Sequence, residues 1–248
     1  MNFVDILSPG CALFLDFDGT LVDIVPEPGA VVVPSGLVPT LAALQQYLGG
    51  AVAVVSGRPM QEIDRFLAPL HLPVAGVHGA ERRGAHGGVD RIRGQHLAVV
   101  ERAADGLAAQ HPRLLVEHKS TSVAVHYRQA PELEELCLET MQAAVSQSPG
   151  LALLRGKMVV EAKPSAASKG GAIEAFLGEP PFAGRTPVFV GDDVTDEAGF
   201  ATVQRLGGLG IKVGEGPTVA WHRLPDPGAL RLEFESAVAR KVATRAPA

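Results

Sequence analysis

The chain lacks most of what would mark it as a special class of protein. Only two of its 248 residues are cysteine, Cys11 and Cys137, far apart and with no CxxC or Cys/His cluster. That argues against structural zinc and leaves two small buried hydrophobes of a reducing compartment. Positive charge is scarce. With 22 Lys and Arg against 27 Asp and Glu, the formal net charge is −5, and the basic stripe of a nucleic-acid binder is missing. Any anionic substrate must therefore be held by a few local cations. No apolar run approaches membrane-spanning length, and Met1 to Gly10 contains Asp5 but no Lys or Arg, so the charged start of a signal peptide is absent. The expectation is a cytoplasmic protein with no membrane or nucleic-acid partner, acting as a monomer on a small molecule. There is no repeat of solenoid length and no low-complexity tract. The 46% of hydrophobic residues suffices for one large domain or two small ones.

What the chain does have is Asp16-Phe17-Asp18-Gly19-Thr20 directly after the apolar run Ala12-Leu13-Phe14-Leu15. The run reads as a buried parallel strand, and two carboxylates two positions apart at its end point the same way, at the sheet edge where α/β folds gather ligands. A solvated turn with an Asp cap is the alternative. Around this motif, strand and helix alternate. Leu37, Leu41, Leu44 and Leu48 recur at helical spacing; Gly49-Gly50 stops that helix; Ala51 to Val55 is a strand ending in Ser56-Gly57-Arg58-Pro59; Met60 to Ala68 is helical and Val74 to Val77 is a strand. This ordering predicts a parallel sheet with right-handed crossovers.

Beyond Gly84-Ala85-His86-Gly87-Gly88, a hinge or hairpin tip, the order becomes helix (Leu97 to Gln110), two strands (Arg113 to His118, Ser122 to Tyr127), helix (Pro131 to Gln147, with Leu133, Leu136, Cys137 and Met141 on its apolar side) and two strands (Leu151 to Leu154, Met158 to Ala162). That is a small α+β module. Doubly wound order then resumes with a helix from Lys169 to Phe176, the strand Val188-Phe189-Val190, the turn Gly191-Asp192-Asp193, a helix from Thr195 to Arg205 and a strand from Leu209 to Val213. The tail from Arg240 is expected to fray. Two separated segments thus build one core (1–84 and 166–248), and residues 85–165 form an inserted cap.

Several strand ends carry groups suited to phosphate chemistry. The Ser56 hydroxyl and the nearby amides of Gly57 and Arg58 can hold phosphate oxygens, or Ser56 can merely cap a helix. Lys169 can neutralise a transferred phosphoryl group. Asp192, Asp193 and Asp196 concentrate negative charge after an apolar strand, as a cation site does. Within the module, alternation puts Glu117 and Lys119 on one face, Lys157, Glu161 and Lys163 on one face of a later strand, and His126 and Arg128 on one side. This polar, mixed-charge face suits a polyhydroxylated ligand, or is an ordinary solvated face. His78 is read as structural or as a sugar contact, and Trp221 as packing.

The strand-DxDGT unit resembles the first motif of the haloacid dehalogenase superfamily, and the later motifs occur in that superfamily's order. The likeness narrows through Gly76-Val77-His78-Gly79-Ala80-Glu81, Glu117-His118-Lys119, His126-Tyr127-Arg128, Gly156-Lys157, Val160 to Pro164 and Ser168-Lys169-Gly170. Together with Asp16 to Thr20, Ser56 to Arg58 and the Asp192 motif, they are similar to the bacterial trehalose-6-phosphate phosphatases. The resemblance implies a Rossmann-like core with helices on both faces of a parallel sheet, a mobile C2-type α+β cap, and Mg²⁺-dependent hydrolysis of trehalose 6-phosphate. Asp16 would be the nucleophile and Asp18 the general acid and base. Mg²⁺ would be held by the Asp16 and Asp192 carboxylates and the Asp18 carbonyl, with Asp196 orienting groups behind it and Asp193 either doing the same or capping the helix that follows. Ser56, Gly57 and Lys169 would bind phosphate, and Glu117, Lys119, Arg128, Lys157 and Glu161 the sugar. Competing readings are a phosphatase for sucrose phosphate or mannosyl-3-phosphoglycerate and, in a different class, a regulatory protein that keeps a phosphorylatable Asp or a catalytically dead binding module.

Overall fold

The computed structural model describes residues 6–25, 28–92, 97–119 and 121–243. It forms two compact units, one of Met1–Val89 with Lys169–Ala248 and one of Asp90–Ser168.

The larger unit is built on an eight-stranded sheet. Its strands are β1 (Cys11–Leu15), β2 (Val52–Val55), β3 (Val74–Gly76), β4 (Glu81–Arg83), β5 (Val89–Arg91), β10 (Thr186–Gly191), β11 (Leu209–Val213) and β12 (His222–Leu224), in the order β12-β11-β10-β1-β2-β3-β4-β5. From β12 to β3 every pairing is parallel, and β4 runs antiparallel to β3. Strand alternation assigns the two faces. Leu13 and Leu15 of β1, with Val52, Val54, Val188 and Val190, pack under helices α1 (Leu37–Tyr47), α2 (Met60–Leu67) and α7 (Pro227–Ala243). Phe14 and Ala12 face the other way with Ala53, Val55 and Phe189, against α5 (Lys169–Leu177) and α6 (Glu197–Arg205). On that side Phe14 stacks on Phe182 at 5.4 Å between ring centroids. Because β1 is central, both its neighbours, β2 and β10, bring their carboxyl ends to the same edge. β10 comes from the second segment of the chain.

The smaller unit is a four-stranded antiparallel sheet of β6 (Leu115–His118), β7 (Val123–His126), β8 (Leu151–Gly156) and β9 (Val159–Pro164), ordered β6-β7-β9-β8, with α3 (Leu97–Gln110) and α4 (Glu134–Ser146) on one face. Val123, Val125, Val160 and Ala162 point to those helices, where Val100, Ala104, Cys137 and Met141 complete the core. Both cysteines are free and buried.

Several expectations need correction. The smaller compact unit runs from Asp90 to Ser168, where the expected insert ran from 85 to 165, and its first two residues still belong to β5 of the core sheet. Of the two readings of Gly84–Gly88 the hairpin holds: the turn is closed by Gly84 N–H to Gly88 O at 3.0 Å and carries the chain into a further strand of the core sheet. Lys157 lies in the exposed β8–β9 turn and not on a strand face, because β9 starts two residues later. Leu136 is 38% exposed while its neighbour Cys137 is buried, so the apolar side of α4 is centred on Cys137, Met141 and Ala144. Trp221 is 65% exposed rather than packed. The edge strand β12 and helix α7 have no counterpart among the expected elements; α7 carries the chain as an ordered helix past Arg240, and 244–248 lie outside the described residues. Among the described residues no helix is long and apolar enough to cross a membrane.

Candidate active site

Two strand ends build the site. After β1, the N–H of Asp16 bonds Val190 O at 2.9 Å, extending the β1–β10 ladder by one residue and fixing the Asp16 backbone. Phe17 is fully buried and stacks on Phe66 at 5.5 Å. Asp16 and Asp18 flank it, which by alternation turns both away from that core. The chain reverses at once, with Leu21 and Val22 N–H groups on Phe17 O, and Gly19 takes φ +77°. A Cβ on Gly19 would stand 2.1 Å from an Asp192 oxygen, so only glycine permits this approach of the two strand ends.

At the end of β10, Gly191 leads through Asp192 to Asp193, which opens a 3₁₀ turn at Val194–Asp196 and forms a reciprocal capping box with Asp196. The fully buried Asp196 accepts the N–H groups of Asp192 and Asp193 on Oδ2, each at 2.9 Å, and the Lys169 ammonium on Oδ1 at 2.6 Å. Lys169 is the first residue of α5 and only 3% exposed; it also donates to Asp16 Oδ1 at 2.7 Å. Thr20 Oγ1 stands 3.4 Å from both Asp16 Oδ2 and Asp192 Oδ1. Lys212, buried on β11, donates to the backbone carbonyl of Asp192.

The electrostatics follow from burying three carboxylates around one ammonium. Burial pushes the Asp16 carboxyl well above its ordinary range; Lys169 pulls it back, and repulsion from Asp196 and Asp192 adds to the rise. Asp192 is pushed up to about 7 by burial and by Asp196, with Lys169 opposing. Burial alone would lower Lys169, but the charges of Asp16 and Asp196 prevail and hold it above its usual value. One oxygen from each of Asp16, Asp192 and Asp196 lies within 4.8 Å of the others. Such a set fits a hard divalent cation with oxygen ligands, which would neutralise the excess negative charge. Asp196 is held on both oxygens by short bonds from Lys169 and two backbone N–H groups, whereas among the described residues Asp16 Oδ2 and Asp192 Oδ1 have only the long 3.4 Å approach of Thr20. Asp16 and Asp192 are therefore the carboxylates that would take the ion and Asp196 the group that orients Lys169.

At the end of β2, the Ser56 N–H bonds Ala75 O and its Oγ accepts the Arg58 N–H at 3.2 Å. Gly57 lies under the His78 ring, where a Cβ would come within 2.6 Å of Cε1. His78 therefore supports the Ser56–Arg58 loop. Glu81, also buried, accepts the Met60 N–H at 2.6 Å and so stabilises the start of α2. Asp18 is held by Arg58, with Nε to Oδ2 at 2.6 Å and Nη2 to Oδ1 at 2.8 Å.

On the sheet face of the smaller unit opposite its helices, the register aligns Glu117, Ala124, Glu161 and Leu154 across the four strands. Lys119 bridges the carboxylates, at 3.2 Å from Glu161 and 3.8 Å from Glu117. His126 Nε2 pairs with Glu117 at 2.9 Å, and Ser122 Oγ donates to Glu161. Burial raises the Glu117 carboxyl, but the His126 hydrogen bond and the Lys119 charge outweigh it and hold the group below its usual range. Arg128 and Lys157 are exposed and make no hydrogen bond or ion pair to this network among the described residues.

The structure thus brings together Asp16, Lys169, Asp192, Asp193 and Asp196 in one cluster, and Glu117, Lys119 and Glu161 in another. The Arg58 side chain, Thr20, Lys212 and Ser122 are the groups that sequence reasoning left without a role, and His126 was placed only as part of the polar face. Lys212 had a signal, a lone charge inside the buried strand Leu-Gly-Ile-Lys-Val.

A family model for trehalose-phosphatases matches residues 14–224, across both units. The trehalose-6-phosphate phosphatase of Escherichia coli (strain K12) is 47% identical over 223 residues, covering 88% of this chain and 83% of that protein. The probable trehalose-phosphate phosphatase of Sinorhizobium fredii is 47% identical over 228 residues, covering 89% and 84%. Among solved structures, a trehalose-6-phosphate phosphatase related protein superposes with a TM-score of 0.75 at 29% identity, covering 94% of this chain and 99% of the other. With the Asp16, Lys169, Asp192 and Asp196 cluster at the carboxyl edge of a parallel sheet and a match that runs through core and insert alike, this chain belongs to the trehalose-phosphatase family of the haloacid dehalogenase superfamily.

Proposed function

We propose that the protein hydrolyses trehalose 6-phosphate to trehalose and inorganic phosphate. Membership of the family makes it a hydrolase of the sugar-phosphatase type, with a small-molecule substrate; the choice of ester is the further step. The observation that carries it is the Glu117, Lys119, Glu161 network, which presents carboxylate acceptors and an ammonium donor side by side, as vicinal sugar hydroxyls require. Its residues lie within the matched span.

Asp16 would act as nucleophile. Its Oδ1 is fixed by Lys169, leaving Oδ2 to attack phosphorus in line; the P–O bond to the sugar breaks and an aspartyl-phosphate forms. Protonated on a lone pair that the Arg58 fork leaves open, Asp18 would give that proton to the departing sugar oxygen and then, as a carboxylate, take one from the water that cleaves the acyl phosphate. Lys169 stays protonated throughout and offsets charge on the phosphoryl oxygens, and Ser56 with the loop amides would hold those oxygens. Mg²⁺ at Asp16, Asp192 and the Asp18 carbonyl would supply Lewis-acid neutralisation of the phosphate.

The test is turnover of trehalose 6-phosphate, sucrose 6-phosphate and glucose 6-phosphate by the purified protein with Mg²⁺. Trehalose 6-phosphate should give the highest kcat/KM, and Glu117→Ala or Glu161→Ala should raise KM for it. Preference for either other ester would overturn the substrate assignment.

A further inference from the structure

We infer that Arg58 is the positioning residue for Asp18: its planar fork, more than its charge, sets the orientation of the Asp18 carboxyl, and that orientation is what the reaction needs. This inference rests on the acid and base role proposed for Asp18. Both Asp18 oxygens lie in the guanidinium fork, at 2.6 and 2.8 Å, so the carboxylate plane is set by the Arg58 plane. Each oxygen keeps a second lone-pair direction for a proton in transit. Arg58 is itself fixed on every side. Its remaining edge bonds Glu62 at 2.8 Å, and its face lies 5.1 Å from the Phe66 ring centroid and 5.9 Å from that of Phe17. Phe17 separates Asp16 from Asp18, so one stack sets the nucleophile and the acid in register. The Arg58 backbone is held too, its N–H on Ser56 Oγ at 3.2 Å and its carbonyl on Val77 N–H at 3.0 Å.

That last bond comes from an unusual source. Val77, His78 and Gly79 have φ values of 48°, 55° and 96°, three successive left-handed residues of which the first is β-branched. Such backbone is costly and persists where the surroundings over-determine it, most often around sites of function. Here it aims the Val77 N–H at Arg58 O and the His78 N–H at Ser56 O, at 3.0 and 2.9 Å. The strain is spent on holding the loop that carries Arg58. A surface ion pair would need none of this.

An acid matters for a sugar alkoxide and little for p-nitrophenolate, which leaves without a proton. Single-turnover phosphoryl transfer from trehalose 6-phosphate and from p-nitrophenyl phosphate therefore separates positioning from support. Arg58→Ala should slow transfer from the sugar ester by about 10²-fold, the effect of a misplaced group, and transfer from the nitrophenyl ester far less. Arg58→Lys keeps a cation but cannot form the fork, and should show the same split. In an Asp18→Asn background, Arg58→Ala should add no more than about twofold. Equal slowing of both esters, full rescue by Lys, or losses that multiply in the double variant would each overturn the inference. An Asp18→Asn enzyme that treats both esters as the wild type does would instead overturn the acid assignment, and the inference with it.

Discussion

Asp192→Asn should make the metal-free protein more stable while removing its activity. The Asp192 carboxyl titrates at about 7 in the fold, above the ordinary carboxyl range of an unfolded chain. The folded chain therefore keeps a proton that the unfolded chain has released. The stability this represents is complete below about pH 4 and is lost as pH rises through about 7. At roughly 1.4 kcal/mol per pH unit, ionised Asp192 costs the fold on the order of 4 kcal/mol, of which about half survives solvent screening of a partly exposed side chain. Asparagine removes the cost of burying that charge and its repulsion from Asp196, but forfeits some attraction to Lys169, about 1 kcal/mol. The net gain is about 1 kcal/mol, or about 2–4 °C in Tm for a chain of this size. Scanning calorimetry in chelator at pH 8 and pH 5 reads it directly: the variant should melt higher at pH 8 and level with the wild type at pH 5. Adding Mg²⁺ should raise Tm for the wild type and hardly move the variant, since ligand binding stabilises only a fold that binds it. A variant that melts lower than the wild type at pH 8 in chelator, or by the same difference at both pH values, would refute the account of crowded carboxylates.

Lys169→Ala leaves Asp16 and Asp196 buried without their cation and should cost about 3–5 kcal/mol; an unchanged denaturant midpoint would contradict that. Gly19→Ala forces a Cβ against Asp192 at a positive φ, so Mg²⁺ affinity measured by titration calorimetry should fall although no ligand has been changed. His126→Gln should let the Glu117 carboxyl rise toward its ordinary value, since the His126 bond helps hold it down. Glu117 contributes stability above the ordinary carboxyl range that is lost as pH falls through its depressed value, so acid unfolding of the variant should begin at higher pH. Carbon-13 NMR of labelled glutamate would show it, and an unmoved Glu117 titration would count against the pairing.

Much of this architecture could be read from the chain because central parallel strands are buried on both faces and appear as unbroken apolar runs, as β1, β2 and β10 do. Carboxylates directly after such runs could be placed at the sheet edge with no knowledge of tertiary contacts. The hairpin of β4 and β5 could not, because Glu81-Arg82-Arg83 and Val89-Asp90-Arg91 show no apolar alternation and are held as strands by the sheet they extend. β12 is a three-residue edge strand with the same lack of pattern. The helical spacing of Leu230, Phe234 and Ala237 in α7 was a usable signal. The Arg58 fork is different in kind. Arg58 and Asp18 are 40 positions apart, and nothing local distinguishes an arginine that grips a carboxylate from one that is solvated.

The pairing of β1 with β10 has a consequence for how the protein is made. Lys169 lies 153 positions after Asp16, and β10 begins later still. At the pace of translation, about 5–20 residues per second, roughly 8–30 s separate emergence of the nucleophile from emergence of the lysine that neutralises it. During that interval β1 can be covered on its β2 side only, and its other edge is an open, wholly apolar strand of the kind that recruits foreign chains. The insert, whose hydrophobic core is drawn from its own strands and helices, can fold while the core waits. Synthesis is thus the period in which the apolar edge of β1 is most open to pairing with other chains.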